Sequence, residues 1–162
     1  DDTTAIFESK SALPKAFAVT SWEGAASEDA ARQYVVKNIE SLTDIPPIIE
    51  GIEGRHGAPG NTPVEITDFG SNRVEIKSTL NSPHIIVLTD NFANGWTAYV
   101  DNKKTAIFRA NATVRSVYVP EGGHTIVFIY RPWAFVLPLV PAALAFLYIS
   151  FLFINKGKSA EV

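Results

Sequence analysis

The sequence predicts a mainly β protein: an antiparallel β-sandwich with one amphipathic helix, followed by a single C-terminal transmembrane helix. Three observations predict this. From Val64 onward, short strand-like segments recur between clusters of Gly, Asn, Pro and Asp at about 8–12-residue spacing, the pattern of a sandwich or barrel. Ahead of them lies a single stretch with helical periodicity. Near the end, Trp133 to Ile154 form a run of 22 residues without a charge.

Residues 1–26 read as irregular with strand-like pieces, "AIF" and "AFAVTSW", around a turn at Leu13-Pro14. The stretch "SEDAARQYVVKNIESL" predicts a helix over about 27–42. Ser27 is a suitable N-cap, and Glu28 and Asp29 suit the positive end of the helix dipole. Ala31, Val35, Ile39 and Leu42 form one apolar stripe. The segment "TDIPP" ends the helix, because a residue before proline avoids the helical region. "IIEGIEG" suggests a short strand, and "RHGAPGNTP" an exposed loop.

The strands that follow are "VEITDF", "RVEIKSTL", "HIIVLTD", "WTAYV", "KTAIFRA", "TVRSVYV" and "HTIVFIY". In "RVEIKSTL", alternation places Val74, Ile76 and Ser78 on one face. In the last strand Ile126, Phe128 and Tyr130 alternate with Val127 and Ile129, so both faces are apolar. Such a strand is central or has its outer face covered, by the helix or by a partner. Asn94-Gly95 and Asp101-Asn102 are turn signals framing Trp96 to Val100 as one strand of a hairpin.

The uncharged run would be ~33 Å long as a helix, against a hydrocarbon core of ~30 Å. It is therefore assigned as a span over 132–155, with Trp133 at one interface, Pro138 and Pro141 kinking its first half, and Tyr148 near the other end. Lys156 and Lys158 follow it, which places a short tail, 156–162, in the cytoplasm and domain 1–131 outside the membrane. The chain has no methionine, so Asp1 is expected to be a processed or internal position rather than a translation start.

Composition narrows the chemistry. The net charge is −3 with no basic stripe, which argues against a nucleic-acid partner. There is no cysteine, which excludes disulfides, thiolate metal sites and a Cys nucleophile. His56, His84 and His124 fall at no metal-ligand spacing, and no nucleophile elbow, phosphate loop or paired-carboxylate arrangement occurs. No catalytic, metal or cofactor residue is assigned. Candidate interaction or glycan contacts are Tyr99 and Tyr118, as exposed aromatics, and Arg109 and Arg115, as anion ligands or partners of rim carboxylates. Gly95, Trp96, Asp101, Asn102 and Gly123 read as turn and core framework, with Trp96 on the face of Ala98 and Val100. Asn111-Ala112-Thr113 fits the N-glycosylation pattern.

An ordered series of these short motifs resembles the C-terminal end of the YfhO-type family of bacterial membrane proteins. The matching residues are Gly95-Trp96, Val100-Asp101, Arg109-Ala110-Asn111, Val119-Pro120, Gly123-His124, and Tyr130 with Pro132; "ESKSALPKAFAV", Glu8 to Val19, resembles the family's opening element. Asn94 replaces a usual Pro and Asn102 a usual Gly, both compatible with turn geometry. The resemblance implies kinship with polytopic glycosyltransferases that use lipid-linked sugars on cell-envelope polymers. Their catalytic carboxylates are expected upstream of the matching segment, so none carries over.

The leading expectation is a non-catalytic, membrane-anchored extracytoplasmic domain. It would act as a structural or interaction subunit of a larger membrane assembly, with membrane lipid and other transmembrane subunits as partners. The alternatives are the C-terminal part of a polytopic YfhO-like glycosyltransferase, or a module that binds cell-envelope glycan.

Overall fold

The computed structural model describes residues 12–57, 60–132 and 138–158, without side-chain detail beyond 150. The chain divides into two compact units, Asp1–Tyr130 and Arg131–Val162.

The first unit is a two-sheet sandwich. Its elements are β1 (Ala16–Val19), β2 (Glu23–Ala25), α1 (Glu28–Lys37), β3 (Ile48–Glu50), β4 (Thr62–Pro63), β5 (Glu65–Phe69), β6 (Arg73–Leu80), β7 (His84–Asn91), β8 (Trp96–Val100), β9 (Lys103–Thr105), β10 (Phe108–Ala110), β11 (Val114–Val119) and β12 (Gly122–Tyr130). One sheet has seven strands in the order β2-β3-β10-β11-β7-β1-β4, and the other five in the order β5-β6-β12-β8-β9. All pairings are antiparallel except β2 with β3.

Alternation builds the core. Val74 and Ile76 from β6, Ala98 from β8, and Ile126 and Phe128 from β12 meet Ala16, Ala18, Ile86, Leu88, Val117 and Val119 from the opposite sheet. Strand β12 is central, paired with β6 on one side and β8 on the other. Strands β1 and β7 are buried on both faces, because Phe17, Val19, Ile85 and Val87 enter a second apolar cluster with Trp22, Ile49 and Ala110. Continuous burial along "HIIVL" explains why that strand shows no polar alternation.

Helix α1 starts as expected, with the Ser27 hydroxyl accepting from the Ala30 N–H at 3.2 Å. It ends at Lys37, earlier than expected, where the Asn38 side-chain amide donates to the Tyr34 carbonyl at 2.8 Å. A single 3₁₀ turn follows over Ile39–Ser41, so Ile39 leaves the stripe and is 63% exposed. The helix packs on β2 and β3 at the edge of the seven-stranded sheet through Ala31, Tyr34 and Val35. It does not cover the outer face of β12.

The second unit corrects the expected transmembrane helix. Helix α2 (Leu139–Lys158) begins only after Pro138 and carries Pro141 in its first turn, where a missing N–H is tolerated. Its uncharged part, 139–154, is about 24 Å long, short of the ~30 Å a hydrocarbon core requires. Asn155, Lys156, Gly157 and Lys158 complete it. Among the described residues, no helix is long and apolar enough to cross a membrane. Trp133, expected at an interface, lies outside the described residues.

Candidate functional site

A chain of polar and aromatic contacts lies at one end of the sandwich, where β1 begins and β12 ends. The β7–β11 ladder is irregular there: Val114 pairs with Asn91 but Arg115 pairs with Leu88, so Thr89 and Asp90 bulge out of register. The bulge brings the Asp90 carboxylate to the Arg115 guanidinium at 2.9 Å, and the Lys15 ammonium to the same carboxylate. Arg115 is 1% exposed and lies 3.6 Å above the Trp96 ring, with Phe128 at 5.7 Å. Trp96 packs on Tyr130 at 5.1 Å between ring centroids. Contacts therefore run unbroken from Lys15 through Asp90, Arg115 and Trp96 to Tyr130, tying the start of the first strand to the end of the last.

Burial pulls the Arg115 pKa down, since desolvation disfavours the cation, while Asp90 acts against the shift. A planar, weakly hydrated guanidinium suits a buried position between carboxylate and indole better than an ammonium would. Its Nε is one of two buried side-chain polar atoms without a partner among the described residues; the other is Glu50 Oε1.

Arg109 is the direct cross-strand neighbour of Arg115. Like charges so placed repel, and the structure neutralises each separately. Arg109 lies over the Phe92 ring at 4.8 Å and meets Glu28 at 2.8 Å and Glu50 at 3.7 Å. It thereby joins the first turn of α1 to β3 and β10. Neither arginine pairs with the rim carboxylates Asp101 or Glu121, and Arg115 is no surface ligand.

At the opposite end, the β8–β9 turn has Asp101 and Asn102 at φ +48° and +64°, a two-residue hairpin with both central residues left-handed. Asp101 accepts from the Thr125 N–H at 3.0 Å and from His124 Nδ1 at 2.6 Å. His124 Nε2 faces the Glu121 carbonyl at 3.0 Å. Both ring nitrogens thus face acceptors, an arrangement that favours the imidazolium. Its pKa is raised, chiefly by Asp101, and that of Asp101 is lowered, chiefly by the Thr125 N–H and then by His124.

His84 is the contrary case. It is fully buried, its Nδ1–H donates to the Ser82 carbonyl at 3.0 Å, and its Nε2 accepts from the Ser78 hydroxyl at 3.1 Å. The ring is neutral and joins β7 to β6 across the sandwich; desolvation lowers its pKa.

Tyr99 and Tyr118 are not brought together. Ala98 is buried between the sheets, so Tyr99 points outward from the five-stranded sheet. Val117 and Val119 face the same core, so Tyr118 points out of the seven-stranded sheet, edge-on to Trp22 at 6.5 Å. No shared platform exists for them. Gly95 adopts φ +104° ahead of Trp96. A Cβ on Gly123 would lie 3.3 Å from the Thr79 hydroxyl. Pro138, Pro141 and Tyr148 belong to the second unit, where Tyr148 is 64% exposed.

One feature that sequence reasoning missed is Asn111. Its Oδ1 accepts from the Ile48 N–H at 3.1 Å and its own N–H donates to the Ile48 carbonyl at 2.8 Å, stitching the β10–β11 turn to β3. Asn111 and Ala112 sit at φ +47° and +60°, the left-handed pair of a second tight hairpin. The available signal was "RANAT" itself, an Asn between two strands.

Among the described residues no group of His, Asp or Glu is placed to hold a metal ion. The arrangement as a whole defines a β-sandwich whose inward-facing polar side chains pair with one another, joined in sequence to an apolar helix. The chain belongs to a family of bacterial membrane proteins, YfhO, whose model matches residues 59–140, half of the sequence. That segment runs from ahead of β4 through β12 into the start of α2. Neither the comparison with curated proteins nor that with solved structures finds a match to this chain.

Proposed function

We propose that this chain is a non-catalytic, extracytoplasmic structural and interaction part of a larger assembly in the bacterial inner membrane. The observation that carries the reading is the surface of α2. Leu139, Val140, Leu144, Phe146, Leu147, Tyr148 and Ile149 are each 52–70% exposed, and Phe146 to Ile149 alone step around the whole helix. A helix apolar on all sides is stable only among other apolar elements. Membership of a membrane-protein family supports apolar helices of that assembly as the cover. The match runs from the sandwich into α2, which supports treating the two as one inherited element. The internal pairing of Arg115, Arg109 and His84 supports an architectural use of these groups.

A second reading follows from the same match: the domain is the C-terminal part of a polytopic, glycosyltransferase-like protein acting on cell-envelope polymers. Photo-crosslinking in native membranes tests the first reading. A crosslinkable residue at Phe146 should capture a discrete membrane protein, whereas one at Phe69 on exposed β5 should not. Capture of lipid alone from Phe146 would sink the proposal. Capture of a segment encoded upstream in the same reading frame would favour the second reading.

A further inference from the structure

The sequence holds a single Asn-Gly pair, Asn94-Gly95, in the connection that leads from β7 in one sheet to β8 in the other. The two residues lie in a tight turn, with Gly95 at φ +104°, a region that side chains rarely adopt. Asn94 is exposed, and neither its side-chain amide nor the Gly95 N–H has a hydrogen-bond partner among the described residues. Nothing therefore holds that amide in one rotamer, and no Cβ shields the Gly95 nitrogen. Every other asparagine precedes a residue with a Cβ. Asn38, Asn61 and Asn111 also have side chains tied to main-chain groups. Asn102 is exposed in a turn of its own, but Lys103 follows it.

We propose that Asn94 is a site of spontaneous deamidation in the folded protein. Asparagine is a chemically labile residue, and here the attacking group is its own neighbour. The Gly95 nitrogen loses its proton to base and attacks the Asn94 Cγ. The new N–C bond closes a cyclic imide, and the side-chain nitrogen leaves as ammonia. Water then opens the imide at either carbonyl. One opening leaves aspartate; the other routes the main chain through the former side chain, as isoaspartate, which is longer by a carbon. Each event exchanges an amide for a carboxylate and so adds a negative charge. The isoaspartyl product lengthens a connection that is fixed at both ends. The Phe92 N–H donates to the Thr113 carbonyl at 2.7 Å, and Trp96 pairs with Tyr130. The added carbon therefore acts on Trp96, whose ring lies against the buried Arg115. The inference is independent of the proposed assembly, since it concerns only this turn of the sandwich.

The test incubates the folded, full-length chain at pH 6 and at pH 9 and follows each asparagine by peptide mass spectrometry, with enzymatic methylation to count isoaspartate. Asn94 should convert ahead of Asn102 and Asn111, faster at pH 9, and give both products. Asn94→Gln, which would have to close a larger ring, should keep its amide over the half-life of Asn94 in the unaltered chain; loss at the same rate would overturn the mechanism. Conversion of Asn94 no faster than that of Asn102, or only after unfolding in urea, would overturn the site, because the turn would then withhold the nitrogen. In isotope-labelled protein the Trp96 indole N–H resonance should move further as isoaspartate accumulates than it does in Asn94→Asp, which gains the charge without the added carbon. Equal shifts in the two would overturn the effect on Trp96.

Discussion

Replacing Arg115 tests the packing logic of the sandwich most sharply, because alanine, lysine and methionine remove different parts of its role. Arg115→Ala deletes a 1%-exposed side chain, leaves Asp90 with only Lys15, and uncovers the Trp96 face. Breaking a fully buried pair costs about 3–5 kcal/mol, but Asp90 is 29% exposed and keeps a cation, so the low end applies. Lost stacking contributes about 1 kcal/mol. The sum, ~4 kcal/mol, exceeds what most single substitutions cost. For a unit of 130 residues it would lower Tm by roughly 10–20 °C. Arg115→Lys keeps the charge but not the planar stack, and an ammonium is more strongly hydrated, so about 2 kcal/mol is expected. Arg115→Met keeps the stem volume and removes the burial of charge, so its cost should be the smallest of the three. Urea denaturation followed by tryptophan fluorescence ranks them. A loss below about 1 kcal/mol for the alanine variant, or methionine as damaging as alanine, would refute the reasoning.

Three further outcomes follow from the same geometry. Gly24→Ala should prevent folding or cost more than about 3 kcal/mol in denaturant titration, because the new Cβ would lie 2.7 Å from the Gly54 nitrogen and the Ile52 oxygen, both backbone. Asn111→Ala should cost about 2 kcal/mol, since it leaves the Ile48 N–H without its acceptor and places alanine at φ +47°. The two paired histidines should titrate on opposite sides of the ordinary value of 6.5, which proton NMR reads directly, His124 above it and His84 below. His124 therefore contributes stability that is complete below 6.5 and lost as pH rises through its raised folded value, whereas His84 contributes stability present above 6.5 and lost as pH falls below it. Consequently His124→Gln should destabilise at pH 6 and have little effect at pH 9; equal effects at both would contradict the imidazolium assignment.

Much of the sandwich was legible in the residues. The alternation of Val74, Ile76 and Ser78, and the two apolar faces of β12, correspond to buried positions and to a central strand. The turns at Asp101-Asn102 and before Trp96 were readable because few residues tolerate positive φ. What was not readable depends on contacts far apart in sequence. Arg115 looks like a surface cation until a bulge 25 residues away delivers Asp90 to it. The seven-stranded sheet recruits β2 and β3 in parallel through a crossover containing α1, which no local pattern announces. Helix α1 stops at Asn38 because that side chain caps the Tyr34 carbonyl, a competition that apolar periodicity does not register. The C-terminal run misled through its length: absence of charge was counted from Trp133, while helix α2 begins after Pro138. The tyrosines failed as a pair for a simple reason of parity: they lie on different sheets and both point away from the core between them, so they emerge on opposite faces of the sandwich.

The most direct test of the proposed role is gentle detergent extraction of the protein from its native membrane, followed by size separation and mass spectrometry of what co-migrates. Assembly predicts a defined species well above the 17.7 kDa chain plus its detergent, containing a companion rich in apolar helices. Migration of the chain alone, with α2 covered by nothing but detergent, would contradict it.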